Sequence, residues 1–457
     1  MGDNDAMERR KFLKLAGNIA LVAGVGAALR YKVLPPSPSA KIGDVDTLTR
    51  QLVASFDSAD RAVACVDYDH PLRQYHNRGV STGGLSVWSL SWDQRKLATD
   101  LFYAGLSEAG RARMPEEQLI SIPGVHALDL LICGDPQKPP YQVILSGAHV
   151  NLRLGGENRE GVAFGGPQVY GDQRGNDSQG LPGNLYRYQF EMAHRLFQTL
   201  SAAERRVAVL PTAPIQTQIE LQGRDGVFAG VGVETLPVAS KVLVRELLGG
   251  ILSTYREADA EYAWRCLDRN GGIDALHLSY YRDGEVDGSG QYQIFRLEGP
   301  AAVFYFRGAP HVHAFVNVAM NGDAPLSVGE VVAENPSMLE GAGVKALFER
   351  AMFDATGSDL AYYGIDGVVG KLRKGTIRTG DLYNLESWQN RIVLLEAKGV
   401  DIAGKLGSDF KAQLDPARTY RLATTNYAAG LLGSFRPEKV GMLREATISY
   451  ARRFGVG

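Results

Sequence analysis

The sequence has few cysteines and no excess of positive charge, and each shortage excludes a class of protein. Its three cysteines, Cys65, Cys133 and Cys266, lie at spacings that fit neither a zinc ribbon nor a disulfide framework. We therefore expect buried free thiols, which pack as small apolar side chains. Lysine and arginine total 49 against 51 aspartates and glutamates, with no basic block of the kind that binds nucleic acid. Nucleic acid is therefore not an expected partner.

Several widespread catalytic motifs are also missing. The sequence contains no His-Glu-x-x-His helix, no phosphate-binding loop and no dinucleotide fingerprint. Glycines at 223, 226, 230 and 232 lack the strand-to-helix spacing of a nucleotide loop. Candidate catalytic residues must therefore be sought among side chains that are distant in the sequence.

A short apolar segment near the N-terminus follows a pair of arginines. Arg9 and Arg10 precede Phe12, Leu13 and Lys14, and residues 15–29 carry no charge. The segment is shorter than the roughly 20 residues that a membrane-spanning helix needs. This arrangement resembles a twin-arginine export signal. We expect export to the periplasm or the cell exterior by the twin-arginine machinery, with membrane contact only through an uncleaved signal.

Chain length and residue periodicity predict two domains of the α+β class. A single core rarely grows beyond roughly 250 to 300 residues, and this chain has 457. Helical spacing of apolar residues is followed by strands that alternate with turns, which indicates an antiparallel sheet. The expected helices cover 46–56, 92–110, 185–206 and 238–258, and the expected strands cover 276–281, 291–297, 301–306 and 310–318. We expect a signal and linker at 1–40, a main domain with N-terminal helices at 41–325, and a smaller α+β domain at 335–457.

A glycine-rich stretch interrupts this pattern. Residues 155–184 include nine glycines and show little apolar periodicity. A connection this long within a compact domain is typically a lid, a binding loop or a disordered segment. Tyr170 lies in this stretch and is a candidate for substrate binding, with interfacial packing as the alternative.

Two stretches each place histidine on one face of a predicted strand. Successive side chains of a strand point to opposite faces, so His311 and His313 share one face of the 310–318 strand. The stretch 143–154 has the same construction and carries His149. If the two strands lie in one sheet or face each other, three imidazoles converge. Three is the number of protein ligands in a catalytic metal site with an open position.

Five further polar residues are candidates for the same site. Asn151 shares the histidine face of its stretch and could orient a ligand or contact the reacting group. Glu298 directly follows a predicted strand and is a candidate general base or fourth ligand. Arg153, Arg296 and Asn317 are candidates for substrate binding, the arginines by meeting an anionic group. The alternative for each charged side chain is a solvated position or a surface ion pair.

The ligand type leaves the identity of the metal open. Neutral imidazoles hold Zn(II), Cu(II) or Fe(II). Zinc would lower the pKa of a bound water towards about 7 and so prepare it to attack an ester, amide or phosphoester. Copper would suit electron transfer or oxygen chemistry. Two alternatives need no metal: a polar strand face whose histidines bond to backbone and water, and acid–base catalysis with histidine as the proton carrier.

Five segments of the main domain carry a resemblance to a known family: Gly84-Leu85, the helix that ends at 106–110, the stretches 146–151 and 200–206, and 292–318. Together they resemble a bacterial family known as domain of unknown function 3500. The resemblance runs from about 56 to 323, within a main-domain span of about 45–325. That family usually has a second histidine just before the position of His149, where this chain has Ala148. The resemblance therefore supports three histidine ligands rather than four.

The C-terminal part has its own characteristic segments, which are residues 355–361, 375–385 and 420–427 together with Asn390. Through them the region of about 341–430 resembles the C-terminal domain of 5'-nucleotidases. In that family this domain contacts the nucleoside, and a separate dimetal domain performs phosphoester hydrolysis. This chain has no counterpart of the dimetal domain, and residues 428–432 replace the aromatic segment that stacks on the base. The resemblance therefore implies a scaffold more than a nucleotide site.

These patterns together predict an exported metal-dependent enzyme. The favoured activity is hydrolysis by a water bound to a mononuclear site made of His149, His311 and His313, with zinc or copper as the divalent metal. The substrate is expected to be a small molecule whose identity the sequence does not specify. The alternatives are a non-catalytic metal-binding or interaction protein and a copper redox enzyme.

Overall fold

The computed structural model of the protein describes residues 41–73, 83–113, 124–155, 161–172, 181–216, 219–322, 328–406, 414–432 and 438–457. The predicted export signal and linker (1–40) lie outside these residues, as do 156–160 and 173–180 of the glycine-rich stretch. Within the described residues, no helix is both long enough and apolar enough to span a membrane. Cys133 and Cys266 are buried free thiols, and Cys65 is a half-buried one.

The described part of the chain contains thirteen α-helices, and several of them begin at a side-chain cap. In chain order they are α1 (Val45–Ala54), α2 (Ser58–Ala64), α3 (Trp92–Ala104), α4 (Glu108–Arg113), α5 (Arg187–Thr199), α6 (Ala202–Ala208), α7 (Val238–Leu252), α8 (Glu257–Arg269), α9 (Ala342–Thr356), α10 (Thr379–Leu385), α11 (Gly399–Lys405), α12 (Asn426–Leu432) and α13 (Leu443–Phe454). The Asp44 carboxylate caps α1 by accepting the amide hydrogen of Thr47 at 2.9 Å. Ser91 and Gln94 form a reciprocal capping box at the start of α3.

One large sheet dominates the first 320 residues. Its strands are β1 (Cys65–Val66), β2 (Leu85–Ser86), β3 (Asp129–Asp135), β4 (Lys138–Gly147), β5 (Val150–Leu154), β6 (Gln168–Asp172), β7 (Val209–Leu210), β8 (Val231–Gly232), β9 (His277–Tyr281), β10 (Ile294–Gly299), β11 (Ala302–Arg307) and β12 (Val312–Val318). The main order is β1-β3-β4-β5-β6-β12-β11-β10-β9-β7, with β2 on β3 and β8 on β9. The β1–β3 and β7–β9 pairs are parallel and the other pairs are antiparallel, so the predicted α+β class is confirmed.

The two faces of this sheet have different partners. On one, which we call the helix face, Tyr170, Val312 and Phe304 join a core shared with the helices, including Phe190 and Leu247. The opposite, or second, face carries a smaller apolar cluster that includes Val169, Tyr305 and Phe315 and is packed against Ile219 and Leu221. Strand alternation assigns His313 to the second face, because Phe315 is two residues further along β12.

A second set of strands follows in the chain. These are β13 (Val331–Asn335), β14 (Leu360–Tyr362), β15 (Gly375–Arg378), β16 (Arg391–Lys398), β17 (Thr419–Thr425) and β18 (Glu438–Met442). β13 pairs with β15, and the other four form a sheet in the order β14-β17-β16-β18. Arg373 connects this part to the segment around Ile219 and Leu221, which packs on the second face of the large sheet. The Arg373 guanidinium donates to the carbonyl of Leu221 at 2.8 Å and pairs with Glu220 at 2.9 Å.

Three sequence-based expectations about these elements were wrong. The helix expected over 185–206 is two helices, because Ser201 and Glu204 form a capping box that starts α6. The helix expected over 238–258 ends at Leu252 with Gly249 and Gly250 inside it. The glycine-rich stretch is not loop throughout, since it contains β6 in the middle of the sheet.

Arg153 has a structural role in this sheet. The sequence made it a candidate for substrate binding, but its side chain is buried on β5 and points at groups of the protein itself. Its Nε donates to the carbonyl of Pro167 at 2.9 Å, and its Nη1 donates to the carbonyl of Arg73 and to Gln142 Oε1. These bonds fix the segment that enters β6. Burial lowers the pKa of the Arg153 guanidinium to about 9.

We expect Arg153→Met to destabilise the protein by roughly 2 to 4 kcal/mol, because buried carbonyls and a buried amide lose their charged donor. Chemical denaturation measures the free energy of unfolding. The matched control is Arg195→Met, since Arg195 is exposed and lies 3.9 Å from the exposed Glu246. That change should stay within about 0.5 kcal/mol of the wild type. Equal stability of both variants would contradict the structural role of Arg153.

Candidate metal centre

His149 lies at the tip of a hairpin. Gly147 pairs with Val150, so Ala148 and His149 form a two-residue turn between β4 and β5. The sequence treated 143–154 as one strand, and this was wrong: the chain reverses at His149. Because His149 is a turn residue, its side chain need not follow the alternation of faces that strand side chains show.

His311 and His313 occupy the start of β12, as predicted. His311 directly precedes the strand and His313 is its second residue. The alternation predicted for this stretch is present, because Val312 and Ala314 are buried among the helices while His313 lies on the second face.

Strand β6 brings the hairpin and β12 together. It pairs with β5 through Val150 and Tyr170 and with β12 through His313 and Gly171. Gly171 lies between the imidazoles and against β12: a Cβ added there would clash with the Val312 carbonyl oxygen and would be 3.0 Å from His149 Cδ2 and 3.3 Å from His313 Cδ2. The missing side chain at 171 therefore allows both the close approach of β12 and the approach of the rings across β6.

The three imidazoles form one compact cluster. One ligand nitrogen from each of His149, His311 and His313 lies within 4.8 Å of the others. The ring centroids are 5.1 Å apart for His149 and His311, 4.8 Å for His149 and His313, and 4.7 Å for His311 and His313. His311 Nε2 and His313 Nε2 are 2.9 Å apart. Two nitrogens that share one zinc ion lie about 3.3 Å apart, so only a small separation of the rings is needed.

Burial keeps these imidazoles neutral. It lowers the pKa of His149 to about 4 and that of His311 to about 3, and the charge of Arg307 acts in the same direction. The pKa of His313 is lowered well below its usual value by the same two causes. Neutral imidazole is the form that binds a metal. Groups with such low pKa values are poor proton carriers at neutral pH, which disfavours the metal-free acid–base alternative.

Gln216 lies between His313 and Arg307. With its carbonyl oxygen towards Arg307 it accepts from Nη1 and Nε, both at 2.9 Å, and its amide nitrogen donates to His313 Nδ1 at 3.1 Å. The opposite orientation would turn the amide hydrogens towards the guanidinium, so the first orientation satisfies both partners. His313 then carries its proton on Nε2 and donates it to His311 Nε2.

These residues fit a bound metal ion. A metal-bound histidine usually donates its other ring N–H to an acceptor. If His313 binds through Nε2, its proton moves to Nδ1, and the carbonyl oxygen of Gln216 becomes the acceptor once the amide turns over. His149 and His311 are half-buried, which leaves the cluster accessible from one side.

The predicted general base does not join the cluster. Glu298 is 3% exposed, pairs with Arg296 Nη2 at 3.1 Å and accepts from Gln222 Nε2 at 2.7 Å. It lies two strands away from β12 in the row of Val303 and Asn317, roughly 15 Å from His313 by strand geometry. Burial raises the pKa of Glu298. The structure therefore groups Glu298, Arg296 and Asn317 together, apart from the histidines.

Two other candidates, Tyr170 and Asn151, lie on the two strands that follow His149. Tyr170 lies on the helix face, where its hydroxyl donates to Gln189 Oε1 at 2.7 Å and its ring packs on Tyr186. It therefore does not line the cluster. Asn151 is fully buried on the second face, opposite Val169. A catalytic role of Asn151 remains a prediction.

Sequence analysis missed Gly171, Gln216 and Arg307. Arg307 ends a predicted strand, and the hairpin with β12 places it directly opposite His313. That register could have been derived from the two predicted strands. Gly171 belongs to a strand hidden in a glycine-rich stretch, and Gln216 to a segment without regular periodicity, so neither carried a usable signal.

Comparison with known proteins identifies a family over most of the chain. The family model described as "Protein of unknown function (DUF3500)" matches residues 38–323. No curated protein matches the chain.

Solved structures show weak similarity. A 5'-nucleotidase precursor from Thermus thermophilus has a TM-score of 0.26 and 15% identity over 39% of this chain and 52% of that chain. The NAD nucleotidase of Haemophilus influenzae has a TM-score of 0.24 and 11% identity over 39% of this chain and 55% of that chain. The matched region thus spans about half the length of these two structures.

We expect Gly171→Ala to weaken metal binding, because the added methyl group would clash with the Val312 carbonyl oxygen and press on the His149 and His313 rings, which would displace β12 and its histidines from β6. It should also destabilise the fold by roughly 1 to 3 kcal/mol through overpacking. Isothermal titration with zinc and thermal unfolding measure the two effects. Gly249→Ala in α7 is the control, since a Cβ there meets nothing within 4 Å. Zinc affinity equal in both variants would refute the role of Gly171.

Proposed function

The chain belongs to the DUF3500 family, and from the cluster of His149, His311 and His313 we propose that it is a metal-dependent hydrolase. The observation that carries this proposal is the convergence of three neutral imidazoles, whose ligand nitrogens lie within 4.8 Å of one another. Three protein ligands leave a coordination position for water or substrate, as in catalytic zinc sites. When bound, the metal supplies an activated water at neutral pH.

The chain's own residues have distinct tasks in this proposal. The three histidines hold the ion, and their low pKa values mean that protons do not compete with it at neutral pH. With a metal on His313 Nε2, the Gln216 carbonyl would accept a hydrogen bond from His313 Nδ1–H and so fix the tautomer of that ligand. Gly171 provides the space in which the rings meet.

Zinc is favoured over copper in this centre. Electron-transfer copper sites combine histidines with a cysteine and a weak axial methionine. Among the described residues, the possible metal ligands of this cluster are the histidines, and Cys65, Cys133 and Cys266 do not belong to it. Imidazole ligands with an open position are instead typical of hydrolytic zinc.

We expect His313→Ala to abolish bound zinc and, with it, hydrolysis. The measurements are elemental analysis of protein purified from its native export route, followed by assays of zinc-loaded protein on ester, amide and phosphoester panels. Chelation of the wild type should remove activity in the same way. His194→Ala is the matched control, because His194 lies on α5 and interacts with Gln198 at 3.0 Å.

The two measurements separate the possible outcomes. Full zinc content in His313→Ala would remove the proposed centre. Zinc bound by the wild type without activity on any panel would indicate a non-catalytic metal-binding protein. Copper found in place of zinc would favour the redox alternative.

We also propose that the chain is exported by the twin-arginine machinery and acts outside the cytoplasm. The support is the sequence around Arg9 and Arg10. Replacing both arginines with lysine should keep the protein in the cytoplasm, because lysine keeps the charge but lacks the planar guanidinium fork. Cell fractionation with immunodetection is the measurement. Normal export of the double variant would exclude this route.

A further inference from the structure

Arg307 shares the space of the three histidines. It is the last residue of β11 and pairs directly with His313 on β12. Directly opposed side chains of an antiparallel pair have Cβ atoms about 5 Å apart on the same face of the sheet. The Arg307 guanidinium therefore lies beside the ligand nitrogens. Consistent with this, its charge lowers the pKa of all three imidazoles.

This guanidinium has a neutral partner. Gln216 Oε1 accepts from its Nη1 and Nε, both at 2.9 Å. Among the described residues, no carboxylate forms an ion pair with Arg307. A guanidinium has five N–H donors. Two of them are used by Gln216, so the others can serve a ligand.

Arg296 and Arg153, two other arginines of this sheet, have different partners for their guanidinium groups. Arg296 has the carboxylate of Glu298 at 3.1 Å. Arg153 is fully buried and enclosed by acceptors of the protein itself, including the carbonyl of Pro167 and Gln142 Oε1. Arg307 is only half-buried, so a molecule at the histidine cluster can reach it. A partly desolvated guanidinium without a carboxylate partner favours binding of an anion.

The charge of the proposed metal centre also favours an anionic ligand. The three imidazoles are neutral, so a divalent ion and Arg307 would leave a strongly positive site. The charge of Asp172 works against this effect, because it raises the pKa of His149 and His311. However, Asp172 Oδ2 already accepts a hydrogen bond from the backbone N–H of Leu185 at 2.9 Å. Asp172 also pairs with Val312, which places it in register with the helix face. An anionic group on the substrate would balance the remaining charge.

We propose that Arg307 is the anion-binding residue of this centre and that the substrate is a small molecule with an oxyanion group, a phosphate or a carboxylate. This inference rests on the proposed metal centre and adds the chemical class of its substrate. Arg307 would hold the oxyanion through its Nη donors, beside the three histidines that would hold the metal, and a bound metal would supply polarisation of the bond to be cleaved.

Gln216 couples the anion site to the metal site. If His313 held a metal through Nε2, its proton would lie on Nδ1 and the Gln216 carbonyl would turn from Arg307 to His313. The guanidinium would then lose its partner and have more donors available for the oxyanion. Because the coupling of two binding equilibria is reciprocal, zinc should tighten oxyanion binding by the same factor as the oxyanion tightens zinc binding.

The test is isothermal titration of the full chain with inorganic phosphate and, separately, with acetate. It is done on metal-free and on zinc-loaded protein, and zinc content is measured by elemental analysis in each sample. We expect at least one of the two anions to bind the wild type, more tightly when zinc is present. Arg307→Gln should weaken that binding about tenfold or more, the size expected for lost hydrogen bonds to a charged group.

Two further variants serve as controls for the effect of Arg307→Gln on anion binding. Arg282→Gln is the matched control, because Arg282 is an exposed arginine near the end of β9, and it should bind the anion as the wild type does. Arg307→Lys should restore part of the affinity, since it restores the charge without the fork. Unchanged affinity in Arg307→Gln, or no binding of either anion by the wild type, would overturn the proposal.

Failure of the metal centre gives a different result. A wild type that binds no zinc contradicts the proposed hydrolase, whereas anion binding to the metal-free protein still decides the role of Arg307. Preference for phosphate over acetate would identify a phosphate-bearing substrate, and the reverse a carboxylate.

Discussion

The candidate site depends on the pairing of β6 with both β5 and β12. This strand of five residues places a hairpin turn beside the start of a distant strand. Gly171 is the necessary residue, because a side chain at that point would occupy the space between His149 and His313. The bonds of Arg153 to Pro167 and Gln142 hold the segment that enters β6. A buried arginine far from the chemistry therefore supports the geometry of the site.

The two faces of the sheet differ in the kind of side chain that they bury. The helix face carries the large core, in which Tyr170 and Val312 are packed. The second face has a smaller apolar cluster and several buried polar groups, including the Arg296–Glu298 pair. Burying polar groups costs free energy unless they are paired. In that pair the charges balance each other, although Arg296 Nε and Glu298 Oε2 have no hydrogen-bond partner among the described residues. Among the same residues, the partner of Arg307 beside the histidines is the neutral Gln216. The charge of Arg307 is therefore not balanced by a carboxylate.

The electrostatics of the cluster follow from the same arrangement. The imidazoles are partly withdrawn from water and lie close to a guanidinium, so their protonated forms are disfavoured. Neutral nitrogens without carboxylate ligands suit a divalent ion that keeps a high effective charge. Such an ion activates water or polarises an oxyanion ester more strongly than one neutralised by acidic ligands. The Gln216 amide can serve only one neighbour with its carbonyl at a time, which links the metal to the anion.

The sequence alone determined the α+β class. It also predicted the strand that begins beside His311 and His313, and it indicated His149 as their partner. Period-two alternation and the helical spacing of apolar residues are local properties, so they can be read from neighbouring residues. The tertiary structure decided what joins these parts. It showed that His149 is a turn residue, that a glycine-rich stretch contains the central strand β6, and that Glu298 is far from the histidines while Arg307 is beside them. Strand order and register arise from pairings between residues far apart in the chain, which no local pattern encodes.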